Sequence, residues 1–291
     1  MSATARSQDR TALSLTASDG TELALHHWAP RCPPTAAVFY VHGIQSHAGW
    51  LFETGPELAA RGLAVFVLDR RGSGTSGGPR GHLPSVAQVL DDYATAITAV
   101  RTRVEDIPLT LVGQSFGGSV LAALVTAGRT AGDRLVFCAP ALGQQRARHG
   151  NGEALAAVRC TGGLNTTPLA LTDTDYTQDI PYLDFMANDI LMIRQITASS
   201  RSVMVGLEDV YMRGGTWDTA SAVRPAHPVH FVRPEADAII DLDIAWRVLT
   251  GLTRSATAVD FPDSGHYLEF SPARHRYWDW VAATATATAD E

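Results

Sequence analysis

The chain has 291 residues, 45% of them apolar and 18% charged, which is enough to bury one substantial core. Its net charge of −7 comes from 30 acidic and 23 basic side chains spread along the whole sequence, without the basic patch that binding a phosphate backbone requires, so nucleic acid is not an expected partner. All the basic residues are arginines, which rules out Schiff-base lysines, Ser-Lys dyads and lysine-dependent phosphate loops.

The first fourteen residues are polar, carry Arg6, Asp9 and Arg10, and lack the apolar run of a signal peptide. No later stretch approaches the ~20 consecutive apolar residues of a membrane span, so the expectation is a cytoplasmic protein with no integral membrane association. The segments 12–16 and 22–28, around the turn Ser18-Asp19-Gly20, read as a hairpin. Short runs rich in Val, Ile, Leu and Phe then recur at 37–41, 64–68, 109–112, 134–138, 229–233 and 256–261, each of a length suited to a buried parallel strand. Amphipathic spacing between them predicts helices at 52–61, 85–103, 116–129 and 241–252, with a last one from Pro272 into the 280s. This alternation predicts an α/β fold, a mostly parallel, doubly wound sheet whose functional groups gather at the carboxyl ends of the strands.

Residues 142–223 break the rhythm. They pass from a Gly, Gln and Arg-rich stretch through an Asp and Thr-rich one, and then carry helix-like apolar spacing at Tyr182, Phe185, Met186, Ile193 and Ile196. Placed between two sheet strands, they read as a cap inserted into a core made of residues 1–141 and 224–291. The Ala-Thr run from Ala282 to Glu291 reads as a frayed end. Cys32, Cys138 and Cys160 are odd in number and widely spaced, with no CxxC or CxH pattern, so neither a disulfide framework nor a zinc site is signalled. No metal and no other cofactor is expected.

The strongest motif is Leu109-Thr-Leu-Val-Gly-Gln-Ser-Phe-Gly-Gly118, an apolar strand that runs through Gly-x-Ser-x-Gly into a helix. In such a nucleophile elbow Ser115 takes a strained turn conformation, and Gly113 and Gly117 stand where a Cβ would meet neighbouring backbone. Chemistry at Ser115 also needs two backbone N–H groups for an oxyanion. Those of Phe116 and of Ile44, in the loop Val41-His-Gly-Ile-Gln-Ser-His47, are the natural donors. His42 and His47 have no acidic or cysteine ligand beside them and are read as stabilising that turn. Of the ten histidines, His266 stands apart in the loop Phe261-Pro-Asp-Ser-Gly-His266 that follows the last strand, and it is the candidate base. The acid belongs between serine and histidine in chain order. Glu235 and Asp237 compete after the strand 229–233, with Asp241 and Asp263 as outsiders, and Asp237 is preferred.

With these motifs in hand, the sequence resembles the monoacylglycerol lipase and lysophospholipase branch of the α/β-hydrolases, grouped with the serine aminopeptidases, over nearly its whole length. The resemblance rests on His42-Gly43 and His47, on Asp69-Arg-Arg-Gly-Ser-Gly-Thr-Ser76, on Gly113-Gln-Ser-Phe-Gly117, and on the cap segment 171–197 with Asp189-Ile-Leu and Arg194-Gln-Ile-Thr197. It implies an α/β-hydrolase fold with a helical cap, a triad of Ser115, Asp237 and His266, and an oxyanion hole at Ile44 and Phe116. Three positions depart from the family pattern, in two places. Pro234 stands where members usually have glycine, and Gln114 and Phe116 replace the commoner His and Met. The loop Asp69 to Ser76 is read as structural.

The implied function is hydrolysis of a small or lipid-like carboxylic ester through an acyl-enzyme. A biosynthetic acyltransferase, thioesterase, cyclase or C–C hydrolase would use the same triad. A ligand-binding protein on a retired scaffold is a further alternative, although all three triad positions are filled. The four methionines after the initiator, Met186, Met192, Met204 and Met212, fall in the inserted segment and suggest an adaptable apolar pocket there.

Overall fold

The computed structural model describes residues 10–217 and 228–287. Strands β1 (Arg10–Thr16) and β2 (Glu22–Trp28) form the expected hairpin. Its turn closes with the Ala17 N–H on the Thr21 carbonyl at 2.8 Å, and Gly20 takes a φ of 83° that a residue with a Cβ resists. Six further strands complete one sheet: β3 (Ala36–Val41), β4 (Leu63–Leu68), β5 (Leu109–Gln114), β6 (Arg134–Cys138), β9 (Val229–Pro234) and β10 (Ala256–Phe261). Strands β7 (Thr166–Pro168) and β8 (Gln195–Thr197) pair with each other, apart from it.

The sheet order is β1-β2-β4-β3-β5-β6-β9-β10. Strand β2 runs antiparallel to both its neighbours, and β4, β3, β5, β6, β9 and β10 are mutually parallel. The carboxyl ends of these six strands therefore open on one edge, where the loops after β3, β5, β9 and β10 meet.

Period-two alternation explains why the central strands read as unbroken apolar runs. On β3, Ala37, Phe39 and Val41 enter one core, while Ala36, Val38 and Tyr40 enter the other. A one-residue slip in register would exchange the two sets, so burial on both faces fixes the register. The helices divide in the same way. In chain order they are α1 (Thr54–Ala60), α2 (Val86–Val104), α3 (Phe116–Thr126), α4 (Gln144–His149), α5 (Glu153–Arg159), α6 (Ile180–Asn188), α7 (Ala198–Arg213), α8 (Leu242–Leu252) and α9 (Arg274–Thr286). Helices α2, α3, α7 and α8 bury their apolar faces in the first core, and α1, α6 and α9 in the second. Sequence-encoded caps start several of them. Ser85 accepts from the Gln88 N–H at 3.1 Å ahead of α2, and Asp241 accepts from the Ile244 N–H at 2.9 Å ahead of α8.

Between β6 and β9 the chain makes α4, α5, the β7–β8 pair, α6 and α7. The boundary expected at 223/224 lies outside the described residues. Helix α7 lies along α3, and Gly206 approaches Val86 so closely that a Cβ would come within 2.6 Å of its side chain. Buried Glu208 of α7 accepts from the Gln145 and Arg146 N–H groups, both at 2.9 Å, and so satisfies the start of α4.

Two expectations change. Helical spacing was expected to run through Ile193 and Ile196, but α6 ends at Asn188. The next residue, Asp189, turns its carboxylate onto the Leu191 N–H, the Trp50 indole and His47, and that is incompatible with another helical turn. The Ala-Thr tail is helical as far as Thr286, because Val281 and Ala285 pack into the second core and Arg134 donates to the Ala285 and Ala287 carbonyls. Residues 288–291 lie outside the described residues.

Candidate active site

Ser115 is the hinge between β5 and α3, with φ 52° and ψ −120°. This left-handed conformation is costly for a residue with a Cβ, and three backbone hydrogen bonds hold it. The Ser115 N–H donates to the Cys138 carbonyl at 3.0 Å, and the Ser115 carbonyl accepts from Gly118 and Ala141, both at 2.9 Å. The glycines are needed for approach. A Cβ at Gly117 would lie 1.8 Å from the Val41 carbonyl oxygen, and one at Gly113 would lie 2.9 Å from the Gly117 carbonyl oxygen. The strain thus depends on β3, β5, β6 and α3 being packed together.

His266 lies in the loop after β10, as the sequence predicts. Its Nδ1 lies 2.8 Å from Asp237 Oδ2, and both side chains are buried. Asp237 Oδ1 accepts from the Ile239 and Ile240 N–H groups at 2.8 and 2.9 Å, which fixes the carboxylate as an acceptor. Glu235 faces elsewhere and takes the Asp263 N–H at 2.6 Å. Asp241 caps α8, and Asp263 pairs with Arg276. Of the four candidate acids, the structure brings Asp237 to the histidine.

With Nδ1–H committed to Asp237, His266 Nε2 presents a lone pair. The Gln114 side-chain amide lies 3.4 Å from it, a long hydrogen bond. Gln114 is the immediate neighbour of Ser115. Its role was not read from the sequence, where the only signal was its departure from the family's histidine.

The loop after β3 comes up beside the serine, where a Cβ on Gly43 would be 3.6 Å from Ser115 Cβ. His42 Nε2 accepts the Arg70 N–H at 3.0 Å, which leaves Nδ1–H to donate to the Gly43 carbonyl at 2.9 Å. Burial, reinforced by the Arg70 charge, lowers the His42 pKa to about 3, so the ring is neutral. His47 N-caps the short turn Ala48–Leu51 and pairs with Asp189 at 3.0 Å. Both histidines stabilise the turn, and no cluster of metal-binding side chains occurs among the described residues.

The loop Asp69 to Ser76 supports this arrangement from below. Burial alone would raise the Asp69 pKa, but its bonds to His26 (2.9 Å) and to the Ala48 and Thr75 N–H groups (2.7 and 2.8 Å) hold it well below the usual carboxylate range. Arg71 forms a bidentate pair with buried Asp92, at 2.8 and 3.0 Å.

A cleft of about 700 Å³ reaches the Asp237–His266 pair from the side of residues 174–179 and 270–272. Its lining does not include Ser115, Ile44 or Phe116. The methionines do not gather around it. Met186 and Met192 are packed in the second core, Met204 lies against the first, and Met212 is exposed.

A mostly parallel eight-stranded sheet with an antiparallel second strand, carrying a strained serine after β5 and a His–Asp pair on the loops after β9 and β10, defines an α/β-hydrolase. The sequence profile of the serine aminopeptidase S33 family matches residues 32–270, and the chain belongs to that family. A monoacylglycerol lipase of Mycolicibacterium smegmatis is 30% identical over 115 residues, 40% of this chain and 41% of that protein. The chain spans less than half the length of the curated relatives it matches. The crystal structure of Paleococcus ferrophilus monoacylglycerol lipase aligns with a TM-score of 0.72 at 20% identity, over 90% of this chain and 99% of that one. A soluble variant of monoglyceride lipase from Saccharomyces cerevisiae, in complex with a substrate analog, gives 0.76 at 13% identity over 96% of each chain. At these identities the structural likeness is one of fold. Among the described residues no helix is long and apolar enough to cross a membrane.

Proposed function

We infer that the protein is a serine hydrolase that cleaves a carboxylic ester of a small or lipid-like apolar substrate through an acyl-enzyme on Ser115. The observation that carries this reading is the 2.8 Å His266–Asp237 bond at the same sheet edge as a serine held at φ 52°. His266 Nε2 takes the Ser115 proton as the oxygen attacks the ester carbonyl, and the Gln114 amide gives way to the serine hydroxyl. The tetrahedral oxyanion is held by the Ile44 and Phe116 N–H groups, the latter a first-turn donor of α3 with no partner in its own helix. Collapse expels the alcohol, which receives the proton from His266. Water then repeats the sequence on the acyl-enzyme, giving the free acid and restoring Ser115. Asp237 holds the ring as the Nδ1–H tautomer and stabilises the imidazolium in both half-reactions.

The described part of the inserted segment 142–223, residues 142–217, serves as the cap. Gln45 and His47 of the oxyanion loop bond to Ile193 and Asp189 of that segment, which ties the loop to it. The test is an acyl-chain-length series of esters run beside thioester and amide analogues, with acid-quenched samples digested and weighed. Ester turnover with transient acyl mass on the Ser115 peptide supports the reading. Turnover without an acyl-Ser115 peptide, or amide cleavage faster than ester cleavage, contradicts it.

A further inference from the structure

Arg70 was read with its loop as structural, yet its side chain ends in the oxyanion loop. The residue is buried, and its guanidinium donates to two backbone carbonyls, with Nη1 2.9 Å from the Gly43 oxygen and Nη2 2.8 Å from the Ile44 oxygen. It also lies over the Phe116 ring, 5.2 Å from the centroid. One cation thus touches both residues whose N–H groups form the hole.

The Gly43 carbonyl and the Ile44 N–H belong to one planar peptide unit. In a trans peptide they point in opposite directions, so a donor that fixes the carbonyl also fixes the aim of the N–H. Here the carbonyl accepts twice, from neutral His42 Nδ1–H at 2.9 Å and from charged Arg70. Each bond draws electron density toward the oxygen, the charged one more strongly, and leaves the amide hydrogen a better donor. Burial pulls the Arg70 pKa down, with Tyr93 and Asp69 opposing, but an arginine starts so far above neutrality that it keeps its charge. Holding a cation out of water is expensive even with the Asp69 carboxylate nearby, and loop closure alone could be achieved by a neutral donor.

We propose that Arg70 is a positioning residue of the oxyanion hole, which aims and strengthens the Ile44 N–H by holding the Gly43 carbonyl and keeps Phe116 in place through its ring. The inference rests on the reading of Ser115, His266 and Asp237 above. In that mechanism the demand on the Ile44 N–H rises as the ester carbonyl becomes an oxyanion, so Arg70 acts mainly in the transition state.

The experiment compares wild type with Arg70→Met and Arg70→Lys by steady-state kinetics on one ester. It adds inhibition by a trifluoromethyl ketone, which forms an oxyanion on the serine, and binding of an ether analogue, which has no carbonyl to enter the hole. Arg70→Met is expected to lower kcat by about 10- to 100-fold, less than the 10²- to 10³-fold of outright donor loss, with KM little changed. Ketone affinity should fall by the same factor as kcat/KM while ether binding is retained, and Arg70→Lys, able to hold one carbonyl, should fall between. Unchanged kcat and ketone affinity in a folded Arg70→Met overturn the inference. Ketone and ether affinity lost together overturn it too, since that marks a distorted pocket. If neither variant folds, Arg70 is a folding residue and the inference falls. A wild-type protein that neither turns over the ester nor binds the ketone covalently at Ser115 contradicts the proposed function instead.

Discussion

Asp237 and Glu235 stand two residues apart after β9, yet their carboxylates do different work. Asp237 accepts two N–H groups on one oxygen and His266 on the other, whereas Glu235 closes the neighbouring loop through the Asp263 N–H. Asp237→Asn leaves the fold intact but offers an amide where the imidazole N–H needs an acceptor, so kcat should fall by about 10³- to 10⁴-fold. Glu235→Gln should change kcat by less than about threefold, because a glutamine oxygen can still accept the Asp263 N–H. Steady-state rates of the two variants decide it, and a reversed order would make Glu235 the acid. The strained turn at Ser115 and the loop position of His266 were legible because a turn motif and the end of a strand mark them. The choice between the two carboxylates was not, since it depends on which way a three-residue turn folds back. Gln114 and Arg70 were harder still. Nothing in their local sequence says that an amide will reach His266 Nε2 or that a guanidinium will reach the Gly43 carbonyl.

At the scale of elements, the loop after β3 is tied to the segment between β6 and β9 by more than packing. The Gln45 side-chain amide donates to the Ile193 carbonyl at 2.9 Å, the Tyr176 hydroxyl donates to Gln45 Oε1 at 2.6 Å, and Asp189 receives His47 and the Trp50 indole. Removing the Asp189 carboxylate strands those two buried donors. Asp189→Ala should therefore cost about 1–3 kcal/mol, read as a lower Tm, and should lower kcat as the loop after β3 loosens. A Tm and kcat equal to wild type would show that the tie is incidental. The central strands were legible almost residue for residue, as in β6, because two-sided burial leaves an apolar run bounded by polar residues. The inserted segment was less so. Its helices are short and end through side-chain hydrogen bonds such as those of Asp189, which no apolar period announces.

Across the whole molecule, the second core carries an unusual load in Glu269, three residues after His266 and 1% exposed. No hydrogen bond of normal geometry reaches either carboxylate oxygen, and burial raises its pKa to about 7, with its own backbone and the Tyr40 hydroxyl opposing only in part. The folded state therefore holds this proton more tightly than the unfolded chain, where the value is 4.5. Stability should be greatest below pH ~4.5 as far as this group is concerned, and should decline as pH rises toward 7, by on the order of 3 kcal/mol in all. Glu269→Gln should remove that part of the pH dependence and raise Tm above pH 7, a difference that thermal unfolding between pH 5 and 8 would show. An unchanged slope would place the ionised carboxylate in contact with solvent. Whether the distant loops of this sheet combine into one nucleophile is measured most directly by labelling with a fluorophosphonate followed by mass spectrometry of the digested protein. Wild type should carry the label on Ser115 alone, Ser115→Ala none, and His266→Ala almost none, because the serine is reactive only when His266 takes its proton. Label retained by Ser115→Ala, or full labelling of His266→Ala, would contradict the account.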